Sequence, residues 1–126
     1  LGEKKGFTQS HQTVVNVLDY GDGGKIEADL EKANIIVNRQ LIPGDIKAKR
    51  HYMHPGGIRL GTSEVTRLGM KESEMGQIAS FIKSVIVDNK DTKDIAKQIA
   101  EFRKTYQKTQ YCFDNKLGAY EYVKLR

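Results

Sequence analysis

The sequence predicts an α+β fold in which a small, mostly antiparallel sheet carries helices on one side. Two observations predict it: short β-branched runs flank a helical pattern in the first half, and two longer helical patterns follow in the second half. The chain has 126 residues, which is the length of one domain with a core of its own. We therefore expect residues 1–126 to form a single domain.

The first half of the chain is predicted to run strand, helix, strand. Residues 11–18 are rich in β-branched and apolar side chains and predict the first strand. Residues 25–33 repeat apolar side chains at helical spacing, and the Ile-Ile-Val run at 35–37 predicts a short buried strand. The glycine-rich run 21–25 lacks the spacing of a phosphate-binding loop, and we interpret it as a turn.

Residues 38–55 show no regular pattern and predict an irregular loop. A loop of this length in a small domain is usually functional or disordered. It contains His51 and His54, three residues apart, but neither a helix nor a carboxylate partner is evident to complete a metal site. We expect a polar loop that becomes ordered when a ligand binds.

Arg59 is the candidate binding residue of the chain. Ile58 and Leu60 predict a short strand with both side chains on one face, so Arg59 must leave from the other. A guanidinium is a planar fork of donors that fits a carboxylate in two-pronged fashion, which lysine cannot do. A carboxylate ligand is the favoured interpretation, and an ordinary solvated or salt-bridged arginine is the alternative.

Three helices are predicted after this strand. Thr62 or Ser63 can cap a short helix that Gly69 ends in a left-handed conformation. A long apolar stripe predicts a helix over residues 71–87, and a second follows over 92–108. The lysines of that last helix favour a solvated face over a nucleic-acid groove.

Composition limits the class of protein. The net charge of +5 and a pI near 9.3 permit a phosphate-rich partner without requiring one. Cys112 is the only cysteine, which excludes a disulfide framework and a sulfur-based metal site and favours a reducing cytoplasm. No apolar run approaches the roughly 18 residues of a membrane span. The aromatic tail, residues 110–126, has no clear period and receives no structural prediction.

The chain contains no complete catalytic set. No serine or cysteine has a credible base, no paired carboxylates lie in an evident cleft, and no dinucleotide fingerprint occurs. The chain also begins with Leu1 rather than methionine. We therefore expect it to be part of a longer protein.

Four segments of the chain together resemble serine hydroxymethyltransferase, specifically its carboxy-terminal domain of the archaeal type. The similarity extends over about residues 6–87. The order and spacing of the four segments make a chance match unlikely. They are residues 33–38 (ANIIVN), 42–45 (IPGD), 57–62 (GIRLGT) and 67–71 (RLGMK).

The resemblance implies the small domain of a fold-type I pyridoxal-phosphate enzyme that transfers the hydroxymethyl carbon of serine to a reduced pterin or folate and leaves glycine. In that family the arginine of Gly-Ile-Arg binds the substrate carboxylate, and it corresponds to Arg59. The cofactor lysine lies in the upstream large domain, so the resemblance implies no catalytic residue in this segment. Alone, the segment is expected to be inactive, and the full-length enzyme is expected to be a homodimer.

The pterin side is less defined, because the family's Asn-Lys-Asn is replaced here by Asn38, Arg39 and Gln40, and the following loop lacks the Ser-Pro-Phe of bacterial members. Asn38 and Gln40 are candidates to hydrogen-bond a pterin edge, and His51 or Tyr52 to stack on it. Two alternatives stay open. One is a basic nucleic-acid-binding module, and the other is a related pyridoxal-phosphate aldolase acting on β-hydroxy amino acids.

Overall fold

The computed structural model describes residues 1–110. The tail residues 111–126, including Cys112, lie outside this range. In chain order the elements are a 3-10 turn Glu3–Lys5, β1 Gln12–Asn16, α1 Gly23–Lys32, β2 Asn38–Gln40, β3 Gly57–Gly61, α2 Ser63–Arg67, α3 Glu72–Ile86 and α4 Thr92–Arg103.

The three strands form one sheet in the order β1-β3-β2, with both neighbours antiparallel to β3. The last strand in the sequence is therefore the central one. Ile58 lies opposite Val15, and Arg59 lies opposite Val14 on one side and Asn38 on the other. The predicted α+β class, an antiparallel sheet with helices on one side, is confirmed.

The hydrophobic core lies on the face of the sheet that carries Ile58, which is 1% exposed. Helix α1 packs on β2 and β3, and α3 and α4 pack against α1 and each other. Full burial of one such aliphatic side chain contributes roughly 1.5–3 kcal/mol. Because successive strand residues point to opposite faces, Arg59 leaves the sheet away from this core. The core cluster comprises Val17, Ile26, Leu30, Ala33, Val37, Ile58, Phe81, Val85, Ile95 and Ile99.

Helix α1 begins two residues earlier than predicted, inside the glycine-rich run. The Asp22 carboxylate caps it by accepting hydrogen bonds from the Gly24 and Lys25 amides at 2.8 and 3.0 Å. A Cβ on Gly23 would lie 2.1 Å from the Gly57 carbonyl oxygen. The glycine therefore allows the amino terminus of α1 to sit directly against the start of β3.

The predicted buried strand over residues 35–37 is wrong. The Ile35 amide still closes the end of α1 by donating to the Leu30 carbonyl at 2.9 Å, and Asn34 adopts a positive φ of 62°. The chain needs the next residues to cross from the helix end to the sheet, so pairing begins only at Asn38. Ile36 is 78% exposed as a result.

The predicted irregular loop over 38–55 is wrong at its start, because its first three residues form β2. The remainder is organised by Asp45, which is 2% exposed. Its carboxylate accepts hydrogen bonds from the Ile42 amide at 2.9 Å and the Gly56 amide at 2.8 Å, and Arg50 lies 3.4 Å away. One buried side chain thus ties the two ends of the loop together.

The remaining elements differ from prediction mainly at their ends. Helix α4 ends at Arg103 rather than near 108. Gly69 ends the short helix α2 with a φ of 89°, as predicted. Thr62 precedes α2 but does not cap it, because its hydroxyl donates instead to the His11 carbonyl at 3.2 Å. None of the helices within residues 1–110 has the length and apolar character needed to cross a membrane.

Replacing Asp45 by asparagine is expected to lower the unfolding midpoint Tm of the full-length protein by roughly 2–8 °C, because an amide binds the two backbone N–H groups less strongly than a carboxylate. Burial alone would raise the pKa of Asp45, but the Gly56 and Ile42 amides and the Arg50 charge hold it below the usual range of an aspartate carboxyl. A lowered pKa stabilises the fold at pH values above the unfolded-state pKa.

The Tm difference between wild type and Asp45→Asn should therefore be complete at neutral pH, shrink as the pH falls below the unfolded-state pKa of an aspartate, about 3.9, and vanish below the folded-state pKa. Thermal unfolding followed by circular dichroism across this range measures it. The exposed Asp19 provides the control, since Asp19→Asn should leave Tm unchanged at every pH. Equal Tm values for wild type and Asp45→Asn at pH 7 would contradict the assigned role.

A candidate carboxylate-binding site

Arg59 lies at the middle of the central strand, on the face of the sheet away from the helices. Hydrogen bonds to β1 on one side and β2 on the other hold its backbone. Its side chain is half-buried. The predicted geometry of Arg59 is confirmed: its side chain leaves the strand on the face of the sheet away from Ile58. The ligand of Arg59 stays a prediction.

The Arg59 guanidinium makes one side-chain contact within residues 1–110, donating from Nη2 to Asn38 Oδ1 at 3.0 Å. No acidic side chain of this range pairs with it. Within this range Arg59 therefore forms no salt bridge, which was one of the alternative interpretations of this residue. Four of its five N–H groups remain to meet an anion, enough for a two-pronged carboxylate contact.

Arg39 differs from Arg59 in two ways: it lies on the helix side of the sheet, and it pairs with a carboxylate. Its Nε donates to the Glu27 carboxylate of α1, and its amide donates to Glu27 Oε1 at 3.1 Å. Both side chains are largely buried, with 24% and 18% exposure. Arg39 therefore anchors the edge strand β2 to α1. No sequence pattern predicts this pair, because Glu27 and Arg39 meet only once the helix lies across the sheet.

The predicted pterin residues separate into two groups. Asn38 and Gln40 lie on β2 on the face of Arg59, and Gln40 Nε2 donates to the Leu41 carbonyl at 3.0 Å. His51 and Tyr52 lie exposed in the following loop. The structure joins Asn38 to Arg59 and forms no hydrogen bond from either ring residue to these two.

The turn that carries His51 and Tyr52 is attached to the start of α1. His54 Nδ1 lies 3.3 Å from Asp22 Oδ2, and the His51 Nδ1 accepts from the Met53 amide at 3.2 Å. The pKa of Asp22 is held below its usual range by the Lys25 amide first, with smaller contributions from His54 and Gly24. The part of the chain that is described contains no group of three or more potential metal ligands among His, Cys, Asp and Glu.

A recess of about 600 Å³ opens on the helix side of the sheet. Leu60, Met75 and Ile82 are among the apolar side chains that line it. Leu60 and Arg59 are adjacent on β3 and point to opposite faces, so this recess does not include the Arg59 site.

The serine hydroxymethyltransferase family model matches residues 4–82 of the chain. The chain belongs to this family. It is 74% identical over 126 residues to a serine hydroxymethyltransferase of Nitrosopumilus maritimus and 69% identical over the same length to one of Cenarchaeum symbiosum. Both matches cover 100% of this chain and 29% of the relative. The resemblance seen in the sequence is confirmed, and the chain spans less than a third of the length of these relatives.

A solved structure shares the fold at higher divergence. The L-threonine transaldolase from Pseudomonas fluorescens matches with a TM-score of 0.68 and 32% identity, over 83% of this chain and 22% of the other. The described residues do not form a site for pyridoxal phosphate, the cofactor that the resemblance implies, because every lysine among residues 1–110 is exposed and none is the desolvated amine that forms a Schiff base.

Proposed function

We propose that the chain is the carboxy-terminal domain of a pyridoxal-phosphate-dependent serine hydroxymethyltransferase, in which Arg59 binds the carboxylate of serine and glycine. The observation that carries this is the Arg59 guanidinium on the central strand of a family member, hydrogen-bonded only to a neutral amide within residues 1–110. The whole enzyme would interconvert serine and glycine and pass one carbon to a reduced pterin.

Arg59 contributes positioning in this proposal. A two-pronged bond to the substrate carboxylate fixes both the distance and the orientation of the amino acid, which lowers the entropic cost of reaching the reactive geometry. One partly exposed arginine is screened by water and salt and binds weakly alone. An upstream domain that closes over the Arg59 face would exclude water and strengthen the contact.

The cofactor belongs to that upstream domain in our proposal, since the described residues do not fit it. Pyridoxal phosphate supplies an electron sink for the amino acid, and this chain supplies the carboxylate contact. A cytoplasmic homodimer completes the proposal, supported by the family and by the single cysteine.

On the pterin side, we propose that Gln40, His51 and Tyr52 contribute contacts. Gln40 follows Arg59's partner Asn38 by two residues and shares its face of the sheet. Tyr52 is 57% exposed and His51 is also exposed, so both rings have a face available for stacking. Their turn is fixed to the start of α1 by His54, so they would reach a pterin from the side of the loop.

The test uses the full-length protein loaded with pyridoxal phosphate. With serine and tetrahydrofolate or another tetrahydropterin, we expect glycine to form, and formation should depend on the pterin. Quantifying glycine by amino-acid analysis with and without each pterin measures this. A loaded protein that forms no glycine with any reduced pterin would contradict the proposal.

The transaldolase neighbour favours one alternative, an enzyme that cleaves or exchanges β-hydroxy amino acids without a pterin. Arg59 would hold the carboxylate in either case. The glycine assay separates the two functions when it is repeated with threonine in place of serine. If glycine forms faster from threonine than from serine and its formation does not depend on a pterin, the alternative is favoured.

The lysine face of α4 does not favour the nucleic-acid module. The lysines of α4 alternate with acids, and Lys97 and Lys104 pair with Asp94 and Glu101. Such a mixed face lacks the continuous positive charge that phosphate binding needs.

A further inference from the structure

We infer that Asn38 is a positioning residue for Arg59 and acts on the amino-acid side of the site rather than on the pterin. This inference rests on the function proposed above. It assigns a role to an uncharged side chain that the resemblance alone placed with the pterin.

The sheet register sets the direction of the guanidinium. Arg59 lies between Val14 on β1 and Asn38 on β2, and directly opposed residues of antiparallel strands share a face with their Cβ atoms about 4.5–5.5 Å apart. Val14 offers no acceptor. The Asn38 amide oxygen does, and it receives the Arg59 Nη2 proton at 3.0 Å. The guanidinium is therefore held toward the β2 edge of the sheet.

The strand that carries Asn38 is itself held in place. β2 is a three-residue edge strand, which alone would fray, but the Glu27 carboxylate binds both the amide and the side chain of the next residue, Arg39. These bonds lie on the helix face, so they fix the strand without occupying the Arg59 face. Asn38 thus presents its oxygen from a defined position.

The chemistry of the amide suits this role. A neutral acceptor orients a guanidinium without cancelling its charge, whereas a carboxylate at the same position would pair with Arg59 and compete with the substrate. Because Asn38 Oδ1 accepts from Arg59, Asn38 acts on the substrate carboxylate through the guanidinium and not by a contact of its own.

The test measures glycine affinity in the full-length protein loaded with pyridoxal phosphate, by calorimetric titration without pterin. We expect Asn38→Ala to raise the glycine Kd about 5- to 10-fold. Asn38→Asp should raise it further, at least about 20-fold, because the new carboxylate neutralises Arg59. Gln12→Ala is the matched control, an amide on the same face of the sheet whose side chain hydrogen-bonds His11 and not Arg59, and should bind glycine as wild type does.

A double-mutant cycle with Arg59→Ala decides whether Asn38 acts through Arg59. Adding Asn38→Ala to Arg59→Ala should change the glycine Kd by less than about twofold. A further loss as large as in wild type would overturn the inference, as would a glycine Kd unchanged in Asn38→Ala. If Asn38→Ala lowered the affinity for tetrahydrofolate and left the affinity for glycine unchanged, Asn38 would be assigned to pterin binding instead.

Two controls separate this inference from other failures. If Arg59→Ala itself binds glycine normally, the proposed function fails and the inference fails with it, whereas a normal Asn38→Ala beside a defective Arg59→Ala overturns the inference alone. A purely structural role for Asn38 would make Asn38→Ala and Asn38→Asp equally defective and lower Tm in proportion. We expect unchanged Tm for Asn38→Ala, because its side chain is exposed.

Discussion

Arg59→Ala in the full-length protein is expected to weaken glycine and serine binding by at least about 100-fold, while the affinity for pyridoxal phosphate stays within about twofold of wild type. Two charge-assisted hydrogen bonds to the substrate carboxylate are lost, and each contributes roughly 1.5–3 kcal/mol when shielded from water. The cofactor contacts lie outside the described residues in our proposal and are untouched. Glycine titration and cofactor equilibrium dialysis measure the two affinities.

Arg59→Lys tests whether substrate binding depends on the planar donor geometry of the guanidinium or only on its positive charge. Lysine keeps the charge but is a point donor on a flexible stem, and its ammonium cannot bind a carboxylate in the planar two-pronged manner. We expect it to recover only part of the loss, remaining about 10-fold or more weaker than wild type. Recovery to wild-type affinity would show that charge alone binds the substrate.

The matched control is Arg103→Ala, which removes the same charge from the exposed end of α4. It should bind glycine as wild type does, since the two sites lie on opposite sides of the sheet. Equal glycine affinity in wild type and Arg59→Ala would contradict the carboxylate assignment. Equal losses in both variants would attribute the effect to net charge.

The site was predictable from the sequence where the signal is local. Ile58, Arg59 and Leu60 alternate along one strand, and a period of two fixes the face of each side chain whatever its neighbours are. The apolar stripes of α3 and α4 are local in the same sense. The long resemblance then supplied a ligand that geometry alone left open, and the comparisons confirm the family.

The parts that the sequence did not predict depend on partners far along the chain. Glu27 meets Arg39 twelve positions later, and Asp45 meets Gly56 eleven positions later, and neither pair shows a periodic signal. The strand predicted at 35–37 failed for a related reason. An Ile-Ile-Val run has the propensity for a strand, but the chain must first leave α1, and this geometry overrides the propensity.

Gly23, in the glycine-rich run at the start of α1, is another residue whose contacts lie far along the chain. Its substitution is expected to give the largest change in the free energy of unfolding. Gly23→Ala should destabilise the protein by about 3 kcal/mol or more, because the new Cβ would lie 2.1 Å from the Gly57 carbonyl oxygen and 3.1 Å from the Pro55 ring. The Gly23 amide also donates to the Pro55 carbonyl at 2.6 Å, so the helix cannot shift without losing that bond. Urea unfolding of the full-length protein measures the change.

Gly76→Ala is the matched control, because it adds the same methyl group to another helix. Apart from the backbone of α3 itself and the two chain neighbours, no atom lies within 4 Å of the position a Cβ would take there, and Gly76 is exposed in the interior of α3. Alanine should stabilise α3 by about 0.5–1 kcal/mol. If the free energy of unfolding falls in Gly23→Ala and rises in Gly76→Ala, the need for glycine at position 23 comes from the contact with β3 and not from helix propensity.

The Gly23 substitution also has a consequence for the site. Gly57 is two residues before Arg59 on the same strand, so a helix that pushes on the Gly57 carbonyl displaces the strand that carries the guanidinium. In any Gly23→Ala protein that still folds, glycine affinity should therefore fall although Arg59 is intact. Wild-type unfolding energy in Gly23→Ala would show that α1 does not pack on β3 this closely, and the helix would then not determine the position of Arg59.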